Sequence, residues 1–198
     1  MDAVFLGGFA DPVLDAQTSF RAIMDALANP GRARKLAETA LAEAPLPAEL
    51  ANTLLTLSDA DTQIWLSDTL RSAPVEAFIA FHAGAPLTHE PGKATFALVA
   101  GVNELPRLDQ FNLGTQEYPD RSTTIVLAVP SLNGGPDLIL RGPGVNDHIH
   151  CSPAGLPEDF AMQWAENREL FPRGIDLLLV ADGEVMGLPR STRISEGH

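Results

Sequence analysis

The stretch Ile175-Asp176-Leu177-Leu178-Leu179-Val180-Ala181 constrains this chain more than any other. It is far short of the ~20 apolar residues a membrane helix needs. Asp182-Gly183 follows at once and turns the chain back through Glu184 to Leu188, so the run reads as one arm of a β-hairpin. A strand apolar on both faces has to be covered on both. Thr95 to Val99 and Thr123 to Val129 have the same character, and Thr62 to Leu66 reads as a shorter strand. Asn133-Gly134-Gly135 predicts a further hairpin before Leu138-Ile139-Leu140.

Helical patterns separate these runs. Asp11 is a good N-cap and Pro12 suits the first helical position. From there to Ala28, Val13, Ala16, Phe20, Ile23, Met24 and Leu27 share one arc, which predicts the buried stripe. Asn29-Pro30-Gly31 stops this helix. A second is predicted over Ala48 to Ser58 with Leu50, Leu54 and Leu57 inward, and a third over Pro74 to Phe81. Pro157 opens a fourth, whose arc holds Phe160, Trp164, Leu170 and Phe171, with Asn167 among them. Val102 to Asp120 reads as a long loop or short helix. Helices and strands mix along the chain, with at least two hairpins. The expectation is α/β: a mixed sheet flanked by helices, in a single domain over residues 1–198.

Composition excludes several function classes. The 26 acidic residues against 13 basic leave a formal charge of −13, which opposes non-specific nucleic-acid binding. No apolar run is long enough to cross a membrane, and Met1 to Pro12 lacks the pattern of a secretion signal. One cysteine, Cys151, permits no internal disulfide and fits a cytoplasmic site. Lys35 and Lys93 are the only lysines, so Schiff-base chemistry has two candidates at most.

Five constellations could carry chemistry. His148-Ile149-His150-Cys151 would set two histidines on one side of a strand for zinc, but no third ligand stands at a diagnostic spacing. Two loop histidines and a packed thiol are the plainer reading, and nothing identifies a base for Cys151 as a nucleophile. Arg141-Gly142-Pro143-Gly144 lacks the third glycine of a dinucleotide loop, and Pro143 removes an N–H, so it reads as a turn. Asp59 and Asp61 suit turn and cap duty better than a paired-carboxylate site. Asp176 enters a buried strand and needs partners. A two-residue turn at Asp182-Gly183 sets it opposite Pro189, which predicts a structural polar cluster of Asp176, Ser191 and Thr192. Arg21 edges the first helix, with Asp25 one turn away as an ordinary ion-pair partner. No nucleophile, base and orienting group emerge together.

Other stretches carry a resemblance. They are Asp15-Ala16-Gln17-Thr18-Ser19-Phe20-Arg21, Asn29-Pro30-Gly31, Leu54-Leu55-Thr56-Leu57-Ser58-Asp59-Ala60-Asp61-Thr62, and Phe81-His82-Ala83-Gly84-Ala85-Pro86-Leu87. Ala94-Thr95-Phe96-Ala97, Phe171-Pro172-Arg173-Gly174-Ile175-Asp176-Leu177 and Pro189-Arg190-Ser191-Thr192 complete the set. In this order, spanning nearly the whole chain, they resemble the PhnH family of the bacterial carbon–phosphorus lyase system. The resemblance implies a subunit that joins PhnG, PhnI and PhnJ in a core complex. That complex attaches a phosphonate to the ribose of ATP and displaces adenine. It further implies a fold like that of pyridoxal-phosphate-dependent transferases without the cofactor, and a homodimer when isolated. His148, His150 and Cys151 lie outside the family pattern, and neither lysine matches a Schiff-base position.

The leading expectation is therefore a non-autonomous subunit of a phosphonate-processing complex, with no cofactor in this chain. The rival is a self-sufficient small enzyme, either a pyridoxal-phosphate remnant or a metal hydrolase. Any contact with phosphonate or nucleotide falls to arginine, because a free anion is repelled by the net charge unless a local positive cluster overrides it. Arg21, Arg141, Arg173 and Arg190 are the candidate anion-binding residues; four separate ion pairs are the competing reading.

Overall fold

The computed structural model describes residues 7–37 and 42–197; the first six residues, read above for a secretion signal, lie outside it. Fourteen elements follow in chain order: α1 (Pro12–Ala28), β1 (Ala33–Lys35), α2 (Ala48–Leu57), β2 (Ile64–Leu66), α3 (Ala73–His82), β3 (Leu87–Thr88), β4 (Phe96–Val99), β5 (Thr124–Ala128), β6 (Leu138–Arg141), β7 (Ile149–Cys151), α4 (Phe160–Glu169), β8 (Asp176–Ala181), β9 (Glu184–Leu188) and β10 (Arg193–Glu196). Short 3₁₀ turns lie between some of them.

Seven strands form the main sheet in the order β1-β9-β8-β5-β4-β2-β3. Strands β3, β2, β4, β5 and β8 run parallel; at one edge β9 pairs antiparallel with β8, and β1 antiparallel with β9. The period of two divides the central strands between two core clusters. Leu98, Val126, Leu178 and Val180 face one side, with Ile23, Leu50, Leu54 and Phe78 of the first three helices. Ala97, Val99, Ile125, Leu127, Leu177 and Leu179 face the other, with Phe160 and Trp164 of α4 and Leu138, Leu140 and Cys151 of a second sheet. That sheet has three strands in the order β10-β6-β7. One continuous cluster joins both sheets, so the chain is a single α/β domain with a mixed sheet.

The hairpin after Ala181 forms as the sequence indicates. Asp182 and Gly183 have φ of 51° and 74°, the positive values a type I′ turn needs. Leu177 then pairs with Leu188 and Ala181 with Glu184. The hairpin expected at Asn133-Gly134-Gly135 does not form. Here the chain leaves the main sheet after β5, and β6 pairs with β7 and β10 instead. The N–H of Gly135 donates to the carbonyl of Ser152 at 2.8 Å, tying this crossing segment down.

Two helix faces also differ from expectation. On α1 the fully buried residues are Ser19, Ile23 and Ala26, whereas Val13, Phe20 and Met24 are exposed. The cause is close approach: a Cβ on Gly187 of β9 would lie 2.7 Å from the carbonyl of Ala26. Small residues, not large ones, fit that contact. On α4, Phe160, Trp164 and Asn167 turn inward as expected, but Phe171 is exposed and Gln163 takes an inward place. Gly187→Ala should lower unfolding stability by roughly 1–3 kcal/mol, the usual cost of overpacking. A urea midpoint equal to that of the parent protein would contradict the α1–β9 contact.

No helix among the described residues is long and apolar enough to cross a membrane.

Candidate functional site

The first site builds up at the amino end of β8. Continuing the β8–β9 register places Asp176 opposite Pro189, as the two-residue turn requires. Asp176 accepts a hydrogen bond from the Arg190 N–H at 2.7 Å and from its Nε at 3.0 Å, while Arg190 Nη2 closes a bidentate ion pair. Arg190 Nη1 donates to the carbonyl of Pro119 at 2.6 Å. The fork of this arginine is thereby used internally. Both side chains are less than one fifth exposed.

The segment around the pair is held through backbone atoms. The Trp164 indole N–H donates to the Thr192 carbonyl at 2.9 Å, and Arg168 Nε to the Ser191 carbonyl at 3.3 Å. The hydroxyl of Thr192 is buried without a partner. Asn167 bridges both backbone groups of Ile175: its amide donates to the carbonyl at 3.0 Å, and its oxygen accepts the N–H at 2.8 Å. This explains a polar residue in the inward arc of α4. Asp176, Arg190 and Asn167 together clamp the strand to the turn after α4 and to the tail after β9.

The other three candidate arginines stand elsewhere. Arg21 is exposed on α1, and the Asp25 carboxylate is taken by Asn29 and Arg34. Arg173 lies in the turn before β8, its Nε buried without a hydrogen-bond partner. Arg141 ends β6, opposite Arg193 of β10.

The His-x-His stretch straddles a strand boundary: His150 belongs to β7, and His148 stands in the loop just before it. The two rings nevertheless stand together, with centroids 5.5 Å apart. Nδ1 of His148 lies 2.7 Å from Asp147, and Nδ1 of His150 lies 2.8 Å from Asp137. Among the described residues no three His, Cys, Asp or Glu side chains gather in a metal-binding geometry. Burial, helped by the Asp137 charge, pushes the Cys151 thiol up to about 12, so it is not a nucleophile near neutral pH. Iodoacetamide at pH 8 should alkylate the native protein at least about a hundredfold more slowly than the urea-unfolded chain, because almost no thiolate is present. Equal rates, followed by mass spectrometry, would show an open Cys151.

Asp59 serves its turn: Oδ1 accepts the Thr62 hydroxyl at 2.6 Å and the Asp61 N–H at 3.0 Å. These bonds hold its carboxyl below the usual range, the Thr62 contact contributing most.

Topology reveals a further place that sequence reading missed. From β2 the chain passes to β3 on one side, then returns to β4 on the other. Connections therefore diverge at the carboxyl ends of β2 and β4, where open parallel sheets commonly bind ligands. Ser67 Oγ accepts the Ala100 N–H there at 3.1 Å. Thr69 donates its N–H to Glu104 at 2.8 Å and its hydroxyl to the same carboxylate. The Thr69 hydroxyl is the main reason that the Glu104 carboxyl lies below the usual range, with burial opposing. Stability from this contact is full above the ordinary carboxylate range and is lost as the pH falls through the lowered value. Beside it, Arg71 donates Nε to the Leu66 carbonyl at 2.8 Å, and its Nη1 lies 2.9 Å from His89 Nδ1. These two side chains, with Glu76 and Thr88, help line a cleft of about 90 Å³. Glu104 lies in the stretch read as loop, and no local pattern marks it.

Comparison with known proteins covers nearly the whole chain. Residues 7–195 match the family model described as "Bacterial phosphonate metabolism protein (PhnH)". A protein of Rhizobium meliloti (strain 1021), "Alpha-D-ribose 1-methylphosphonate 5-triphosphate synthase subunit PhnH", is 47% identical over 191 residues, 96% of each chain. The "Putative C-P lyase subunit protein HtxG" of Stutzerimonas stutzeri is 32% identical in an alignment that covers 90% of this chain and 85% of that one.

Proposed function

We propose, from the premise that the chain belongs to the PhnH family of bacterial phosphonate metabolism proteins, that it is a subunit of the carbon–phosphorus lyase system. Its role is to support transfer of a phosphonate to the ribose of ATP. In that exchange a phosphonate oxygen bonds to the anomeric carbon and adenine leaves from it. The observation that carries this reading is the 47% identical synthase subunit, aligned along 96% of both chains. The Asp176–Arg190 clamp fits a supporting role, since its donors and acceptors face one another rather than a ligand.

PhnG, PhnI and PhnJ are the partners this reading names, in the cytoplasm, and a second copy of the chain is the partner in isolation. Support for the homodimer comes from the outer face of α1, which exposes Val13, Phe20 and Met24. Resemblance to the pyridoxal-phosphate-dependent transferase fold, without its cofactor, belongs to the same reading. Lys93 is ion-paired with Glu90 at 2.8 Å, and Lys35 sits on the edge strand β1 opposite Glu184, neither in a closed pocket that would hold an imine.

The test is co-expression with tagged PhnI, PhnG and PhnJ. The chain should remain with the tagged complex through size exclusion, and as a lone species light scattering should give twice its mass. Added pyridoxal phosphate should produce no imine absorbance that is lost on substituting Lys35 or Lys93. Elution of the chain apart from the complex would overturn the subunit reading.

A further inference from the structure

The three-stranded sheet has one face in the core and one in solvent. Leu138, Leu140 and Cys151 point inward, so alternate residues point outward. Arg141 lies directly opposite Arg193, and continuing the β6–β7 register places His148 on the far side of Arg141. A row of Arg193, Arg141 and His148 therefore crosses the outer face. The next row is Ser195, Ile139 and His150. Both arginines and both histidines are exposed. Beyond His148, a small cleft of about 70 Å³ is lined by exposed Arg32 and by Gly144, Val145 and Asn146.

What is unusual here is the pairing of two like charges directly across neighbouring strands. Arg34, Arg71, Arg107, Arg190 and Lys93 all find carboxylates. Arg141 and Arg193, like Arg21, Arg32, Lys35, Arg121, Arg168 and Arg173, take part in no ion pair among the described residues, but these two face each other across paired strands. Like charges directly opposite on paired strands are destabilising. Local rules broken in this way mark functional surfaces in stable folds. The carboxylates beside the histidines, Asp147 and Asp137, lie against Nδ1 in each case, and Glu169 of α4 shares a cleft with Arg193 without forming an ion pair with it.

We propose that this outer face binds the phosphoryl chain of a triphosphate-bearing substrate. Two guanidinium forks suit phosphoryl oxygens in pairs. With strands ~4.8 Å apart, the row of three spans ~10 Å, comparable with an extended triphosphate. An open, flat site suits a ligand whose remaining part is held by another subunit. The choice of a triphosphate rests on the function proposed above; the cationic row does not.

The test titrates inorganic tripolyphosphate into the full chain at low ionic strength and follows heat. Saturable binding of one anion per chain is expected, weakening as salt is raised. The variant Arg141→Ala/Arg193→Ala should bind at least tenfold more weakly, while its ligand-free unfolding midpoint stays equal to or above that of the parent protein. Lys93→Ala, which removes a charge already paired with Glu90, should bind as the parent does. Absence of saturable binding, or a double variant that binds like the parent, overturns the proposal. A double variant that melts earlier overturns it too, because the arginines would then be structural. Co-purification with the other subunits is scored separately. Tripolyphosphate binding without co-purification keeps the site and sinks the subunit reading, and co-purification without binding does the reverse.

Discussion

Asp176→Ala is expected to lower the free energy of unfolding by about 3 kcal/mol, read from urea titration followed by far-ultraviolet circular dichroism. Breaking a buried ion pair by removing one member costs ~3–5 kcal/mol, because the other charge stays buried and unmatched. The pair here keeps a small exposed fraction, which places the expectation at the lower end. Alanine leaves the Arg190 N–H, Nε and Nη2 without their acceptor, while Nη1 still reaches Pro119. Arg190→Ala should cost nearly as much. The double variant should cost little more than either alone, since each change already breaks the same clamp. Additive losses, or a single loss below about 0.5 kcal/mol of the kind seen for exposed pairs, would show that the two side chains do not act as a unit.

Trp164→Ala should have the largest effect on stability, about 3–5 kcal/mol by the precedent of buried aromatic truncations. The indole is fully buried, lies 5.7 Å from the Phe160 ring, and joins α4 to the segment that leads into β10. Trp164→Phe separates volume from hydrogen bonding. It keeps an aromatic ring but leaves the Thr192 carbonyl unpaired, a loss of ~1–3 kcal/mol. If both variants unfold at the same urea concentration, the hydrogen bond rather than packing dominates at this position.

The parts of the fold legible in sequence are those whose burial shows in composition. Residues 176–181, 96–99 and 124–128 are covered on both faces, so their apolar runs stand out. Strands β1, β3, β7 and β10 have two to four residues and are defined by the strands they meet. No local run could mark them. On α1 hydrophobicity points the wrong way, because Ser19 and Ala26 permit close contact with β9 and leave Val13 and Phe20 outside. The register of Asp176 was legible because Asp182-Gly183 permits one turn length. Its partner is the neighbouring Arg190 rather than the hydroxyls of Ser191 or Thr192, a choice made by side-chain reach. Ser67, Thr69 and Glu104 come together only through strand order, so nothing short of the topology could find them. Arg193 was likewise invisible until the chain after β9 was seen to join β6.

Strand order also dictates when this molecule can acquire its shape as it leaves the ribosome. The first strand made, β1, has a single neighbour, β9, which is synthesised near the end. Likewise β5 has no partner on one side until β8 emerges, and β6 gains its second neighbour only with β10. A nascent chain halted before Asp176 would leave one edge of β5 unpaired and lack β8 and β9, although the helices that cover the sheet faces are already made. Pairings this distant in sequence are slow to close, and unpaired strand edges invite association with other chains. Nascent copies are therefore expected to engage chaperones until the last two hairpin arms are out, and to become protease-resistant in one late step rather than progressively.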